Sequence, residues 1–154
     1  MDVATRAWLQ ERINGRLALG VAIAWIVTYQ LAGALEPVTH HPEPWYGVAL
    51  GVGFLALVAA TGTGLAMQRR WGLVVSVAAA GFFTALSIAC PVSGHHAFGA
   101  WWFGQMACAL GMVGASLAAL TWSGTTTPAE SPEQVEPSDV PNDAPNDALA
   151  DAPR

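Results

Sequence analysis

The sequence predicts an all-α integral membrane protein: a four-transmembrane-helix bundle followed by a disordered acidic C-terminal tail. Three observations carry that expectation. Hydrophobic residues make up 53% of the chain and charged residues only 11%, too few charges to solvate the surface of a water-soluble domain. Four uncharged runs, at about 17–35, 45–67, 71–89 and 98–122, are each long enough, at roughly 1.5 Å per residue, to cross a hydrocarbon layer of about 30 Å. Backbone groups in lipid have to be satisfied within their own segment, so runs of this length are expected to be helices.

Residues 1–16 form a cytoplasmic N-terminal segment that carries Arg6, Arg12 and Arg16, and Trp8, Leu9 and Ile13 suit a short interfacial helix there. The first span then places Trp25 at mid-membrane, where it is expected to be packed rather than to sit among headgroups. A signal-peptide reading competes, because Ala32-Gly33-Ala34 fits small-residue cleavage; the length of the apolar run and the presence of Trp25 favour a membrane span. Trp45, Trp71, Trp101, Trp102 and Trp122 fall near the ends of the other spans, as interfacial rings do. The second span offers Gly47 and Gly51 in GxxxG spacing, with Gly62 and Gly64 further along. The fourth carries a small-residue stripe of Gly104, Cys108, Gly111, Ala115 and Ala118, a candidate packing face. Pro91 is expected to stop the third helix, and Ser93 to cap the fourth.

Arginine sets the expected orientation. Arg6, Arg12 and Arg16 precede the first span and Arg69 and Arg70 fill the turn between the second and third, while the other two loops have no arginine. The positive-inside rule therefore places both termini in the cytoplasm and the loops at 36–44 and 90–97 outside, in the plasma membrane. The chain has no lysine and uses much alanine, glycine, valine and arginine, a bias of GC-rich genomes that points to a bacterial source. From residue 123 the composition changes to six prolines, seven acids and no aromatic residue, with Pro141-Asn142-Asp143-Ala144 repeated as Pro145-Asn146-Asp147-Ala148. Such a segment cannot bury enough apolar surface to offset its ordering entropy, so residues 123–154 are expected to be disordered.

All four histidines come as doublets, His40-His41 and His95-His96, and the expected topology puts both on the outer side. Together with Cys90 they are the candidate metal ligands, imidazole and thiolate donors suited to zinc or copper, although no fixed ligand spacing singles out either ion. Haem is disfavoured because no histidine lies inside a span. A second cluster is polar: Gln30 in the first span, Thr84 and Ser87 in the third, Gln105 and Cys108 in the fourth, all in the outer half. A glutamine facing lipid is expensive, so Gln30 and Gln105 are expected to point inward, into an interhelical hydrogen-bond network or an outer polar cavity. Cys90 and Cys108 differ in depth and are expected to remain thiols, and the absence of a CxxC argues against a membrane thiol oxidoreductase.

In general form, four short spans with cytoplasmic termini, the chain is similar to several small bacterial membrane families, compact multidrug exporters and DoxX-like proteins among them. The likeness is architectural and implies no activity. Proton-coupled export needs an ionisable group within the membrane, and the spans hold no Asp, Glu, Lys, Arg or His. The leading expectation is a non-catalytic accessory or scaffold component of a membrane complex, with the bilayer and a membrane protein or second copy as partners and no nucleic acid. Alternatives are an outward-facing metal-handling protein that uses the two histidine loops, and a small uncoupled channel or permease.

Overall fold

The computed structural model describes residues 2–37, 45–94, 96 and 98–124. The acidic tail from residue 125 and the candidate ligands His40, His41 and His95 lie outside the described residues.

Among the described residues five helices follow one another: α1 (Val3–Gln10), α2 (Gly15–Leu35), α3 (Trp45–Ala66), α4 (Arg70–Val92) and α5 (Ala100–Trp122). With 21 to 23 residues each, α2 to α5 reach roughly 31–35 Å, enough to span a bilayer core. Their packing combines a few large buried side chains, such as Trp25, Phe54, Leu73 and Phe83, with many small or polar ones. The small or polar ones include Ser76, Ala79, Ala80, Ser116 and Thr61, while Ile23, Leu55, Ile88, Phe103 and Leu110 are exposed. Lipid is as apolar as leucine, so large aliphatic side chains gain little by turning inward and close approach of small residues decides the contacts. The chain is an all-α, multi-pass membrane protein.

α2 packs on α5, α5 on α4 and α4 on α3, whereas α2 and α3 are the most loosely packed neighbours among the four long helices. The tightest approach joins α3 and α4 next to their connecting turn. A Cβ built on Gly64 would stand 2.4 Å from Gly72 Cα, so both positions need glycine for the backbones to meet. The turn closes by bonds from Arg69 N to Gly64 O and from Gln68 N to Leu65 O, both 2.9 Å, with Gln68 in the left-handed region at φ 53°. This is a Schellman-type stop that uses glutamine where glycine is usual.

The N-terminal segment is tied across that turn. Ile13 N donates to Gln68 O at 2.9 Å and Arg70 N to Glu11 O at 3.0 Å, so a first-turn N–H of α4 finds a partner. Arg70, 7% exposed, pairs with the Glu11 carboxylate and lies 4.5 Å from the centre of the Trp8 ring, and Arg69 donates to Gln10 O. Asp2 caps α1 by accepting from Thr5 N at 2.7 Å.

Mid-bundle, Trp25 donates from Nε1 to Ser76 Oγ at 2.8 Å, and Ser76 and Ser116 share a hydrogen bond of 2.8 Å. One buried chain of polar groups thereby links α2, α4 and α5. The Trp25 ring meets Phe54 at 6.2 Å and Phe54 stacks on Phe83 at 5.5 Å, which ties α3 into the same layer. Trp25 is packed, as its mid-span position implies.

Three local expectations are corrected. α4 does not stop at Pro91 but runs to Val92. The proline sits in the last turn, and the carbonyl its missing N–H would have bonded, that of Ser87, accepts from Trp102 Nε1 at 2.9 Å. Ser93 ends α4 instead of starting α5: its N–H donates to Ala89 O at 2.8 Å and its hydroxyl to Cys90 O at 3.0 Å, while Gly99 precedes α5. The inward face of α5 is Gln105, Ala109, Met112, Ser116 and Ala119, each one residue after the stripe that runs from Gly104 to Ala118, and Gly111 and Ala115 of that stripe are exposed.

Candidate functional site

The bundle has two unlike ends. At the terminal end, α1 and the α3–α4 turn form an arginine-rich cap. At the loop end, a cavity of about 560 Å³ opens among α2, α3, α4 and α5. α2 contributes Tyr29, Gln30 and Glu36 to its wall, α4 contributes Ser87 and Cys90, and α5 contributes Gln105. Toward mid-membrane it meets the stacked rings of Phe54 and Phe83, with the Trp25–Ser76–Ser116 layer beyond them. The looseness of α2 against α3 leaves the room, since Gly51 of α3 and Gly33 of α2 line the cavity and a Cβ on either would meet nothing within 4 Å.

Four of the residues singled out from sequence therefore share this wall: Gln30, Ser87, Gln105 and Cys90. They are not equivalent. Ser87 is fully buried and donates its hydroxyl to Phe83 O at 2.9 Å, so its hydrogen is already committed. Gln30 is exposed and stands at the edge. Gln105 is 9% exposed, lines the cavity, and its side-chain amide has no hydrogen-bond partner among the described residues. Thr84 and Cys108 do not line the cavity. Thr84 bonds back to Ala80 O at 2.9 Å, and Cys108 is half-buried on α5. Neither cysteine forms a disulfide.

Of the candidate metal ligands, His96 and Cys90 are described. His96 is buried, its ring edge-on to Trp101 at 5.3 Å, and its Nε2 lies 3.6 Å from Glu36 Oε1. The segments that follow α2 and α4 thus approach each other at the cavity rim. Among the described residues no group of three His, Cys, Asp or Glu side chains could hold a metal ion.

Sequence reasoning passed over Glu36 as a site residue and over Trp102. Glu36 ends the apolar run of α2 and adjoins the histidine loop, so its position was a usable signal; Trp102 gave none beyond its interfacial place.

Fold and cavity define the class: a small four-helix integral membrane protein with a polar-walled cavity at one end. No protein-family model, no curated protein and no solved structure matches the chain.

Proposed function

We propose that the chain is a multi-pass protein of the plasma membrane with both termini cytoplasmic, a non-catalytic accessory component of a membrane assembly that presents its cavity to the outer side. The observation that carries this reading is the blind cavity. A conduit needs a path between the two ends, whereas here the Phe54–Phe83 stack and the Trp25–Ser76–Ser116 layer stand between the cavity and the arginine cap. Arg6, Arg12, Arg16, Arg69 and Arg70 all belong to that cap end, which supports a cytoplasmic assignment for it. Gly111, Gly114 and Ala115, exposed along α5, offer a membrane partner or a second copy a face that lets backbones approach.

Purification in mild detergent, with mass spectrometry of copurifying proteins and solute flux in proteoliposomes, tests the role. A stoichiometric membrane partner or a defined homo-oligomer without flux supports it; sustained flux overturns it in favour of a channel. Orientation is read by cysteine labelling in a Cys90→Ala, Cys108→Ala background. His40→Cys and His95→Cys should label from outside intact cells and Glu130→Cys should not, and the reverse pattern refutes the topology.

The approach of His96 to Glu36 favours a second reading, an outer site for zinc or copper completed by His40, His41, His95 or Cys90. Metal analysis of the purified protein, against a His95→Ala, His96→Ala double variant, decides it. Equal metal content in the two removes the reading.

A further inference from the structure

We infer that the cavity binds a lipid-soluble molecule with an uncharged, carbonyl-bearing head, which enters from the bilayer on the α2–α3 side and is held by the Gln105 amide. This goes beyond the accessory role proposed above and rests on the cavity alone.

The amide is the starting point. Gln105 carries two N–H donors and a carbonyl acceptor, lies at 9% exposure within a membrane span, and finds no partner among the described residues. The amide faces the cavity with its hydrogen bonds unused by the protein, and an unpaired amide against an apolar wall is costly. An occupant that accepts from the amide N–H removes that cost. The cavity wall narrows the choice of occupant. Phe54 and Phe83 supply an apolar, stacked floor, and Leu86 adds aliphatic wall, so the bulk of the molecule is apolar. Of the lining residues only Glu36 is a carboxylic acid or a base, and it stands half exposed at the rim, 3.6 Å from His96 Nε2, so the interior fits a neutral head. At about 560 Å³ the space lies within the range of small-molecule sites, roughly 300–1,000 Å³, and holds a head and the first part of a tail. The rest of the tail can lie in lipid between α2 and α3, the least tightly joined neighbours among the four spans, where Gly33 and Gly51 leave open space in a wall otherwise lined by larger side chains.

Neutral carbonyl heads reach a membrane protein from two sources, planar quinone rings and glycerol esters. A decyl-benzoquinone substituted at all its remaining ring carbons, so that it has no open position to take up a thiol, and dioleoylglycerol are therefore the two probes. The full-length protein with Cys108→Ala leaves Cys90 in the cavity wall as the reporter, and the rate of its alkylation by a small maleimide in nanodiscs is measured against probe concentration. Saturable protection by decyl-benzoquinone assigns a ring-shaped head that the Phe54–Phe83 floor can stack, and protection by dioleoylglycerol assigns an ester; either supports the proposal. Gln105→Leu should weaken protection about tenfold, the worth of one hydrogen bond to a buried amide. Gly51→Leu, which fills the cavity from a position with free space, should abolish it while leaving the helical signal and detergent extraction unchanged. The proposal is overturned if neither probe protects Cys90, if protection is unaltered by both substitutions, or if dodecyltrimethylammonium protects better than either neutral probe in a manner removed by Glu36→Gln. Such a failure would leave the accessory role standing, since that role is read from copurifying partners and flux.

Discussion

The pairing of Pro91 with Trp102 makes a quantitative prediction. Proline removes the N–H that would bond the Ser87 carbonyl four residues back, and the indole of Trp102, from the next helix, donates to that oxygen at 2.9 Å. Trp102→Phe keeps a ring in place but leaves a carbonyl unsatisfied beside the bundle interior, at an expected cost of about 1–3 kcal/mol. Pro91→Ala restores the main-chain donor, so the same carbonyl then has a local partner whether or not the indole is present. The cost of Trp102→Phe in the Pro91→Ala background is therefore expected to fall by about 0.6 kcal/mol, and by no more than about 1.7 kcal/mol, the mean and the maximum of interhelical hydrogen bonds in double-mutant cycles in membranes. Loss of proline packing cancels from the cycle because it occurs on both sides. The assay is reversible unfolding in mixed micelles of mild detergent and dodecyl sulfate, followed by circular dichroism for the four proteins. Equal costs for Trp102→Phe in the two backgrounds would refute the assignment of Trp102 as the replacement donor.

Four further outcomes follow from the same geometry. Ser76→Ala strands the Trp25 N–H and should cost about 1–3 kcal/mol, more than Ser116→Ala, which leaves the Trp25 bond intact; equal costs in unfolding titrations would refute the chain of bonds. Gly64→Ala drives a Cβ into the Gly72 backbone and should cost at least about 1–3 kcal/mol, whereas Gly62→Ala, with open space around it, should be neutral or stabilising in the same assay. Hydrogen bonds to Asp2 from the Thr5 N–H, and then from the Thr5 hydroxyl, hold its carboxyl below the usual carboxylate range. With the folded value depressed, the cap's contribution is present above the unfolded value and is lost as pH falls through the folded one, so α1 should keep its cap throughout the ordinary carboxylate range; an Asp2 carboxyl shift that titrates by NMR at the ordinary value would contradict this. Deletion of residues 125–154 should leave insertion and the unfolding midpoint nearly unchanged, and a large loss of folded protein would mean that the tail docks on the bundle.

The spans were legible in the sequence because lipid imposes a length and forbids charge, and both constraints act on contiguous residues. The packing was less so. Small residues mark where helices can approach, but on α5 they occur on two adjacent faces, and the sequence favoured the stripe through Gly111 and Ala115 while the bundle uses the one through Gln105 and Ser116. The deciding quantity is the cost of leaving a polar side chain in lipid, which two positions carry on the inward face. Gly64 and Gly72 show a related limit: each glycine is ordinary on its own helix, and their meaning arises only when the turn at Gln68 sets them opposite one another. Arg69 and Arg70 carried a topological signal in the sequence, but their structural role depends on Glu11, Gln10 and Trp8 across more than fifty residues of chain. The same holds at the cavity. Gln105 was recognisable as a side chain that has to turn inward, yet what separates it from Ser87 and Thr84 is that those two satisfy themselves on their own helix, as short hydroxyls can and a glutamine one turn away cannot. Reach, rather than polarity, is what separates Gln105 from the two hydroxyls of α4.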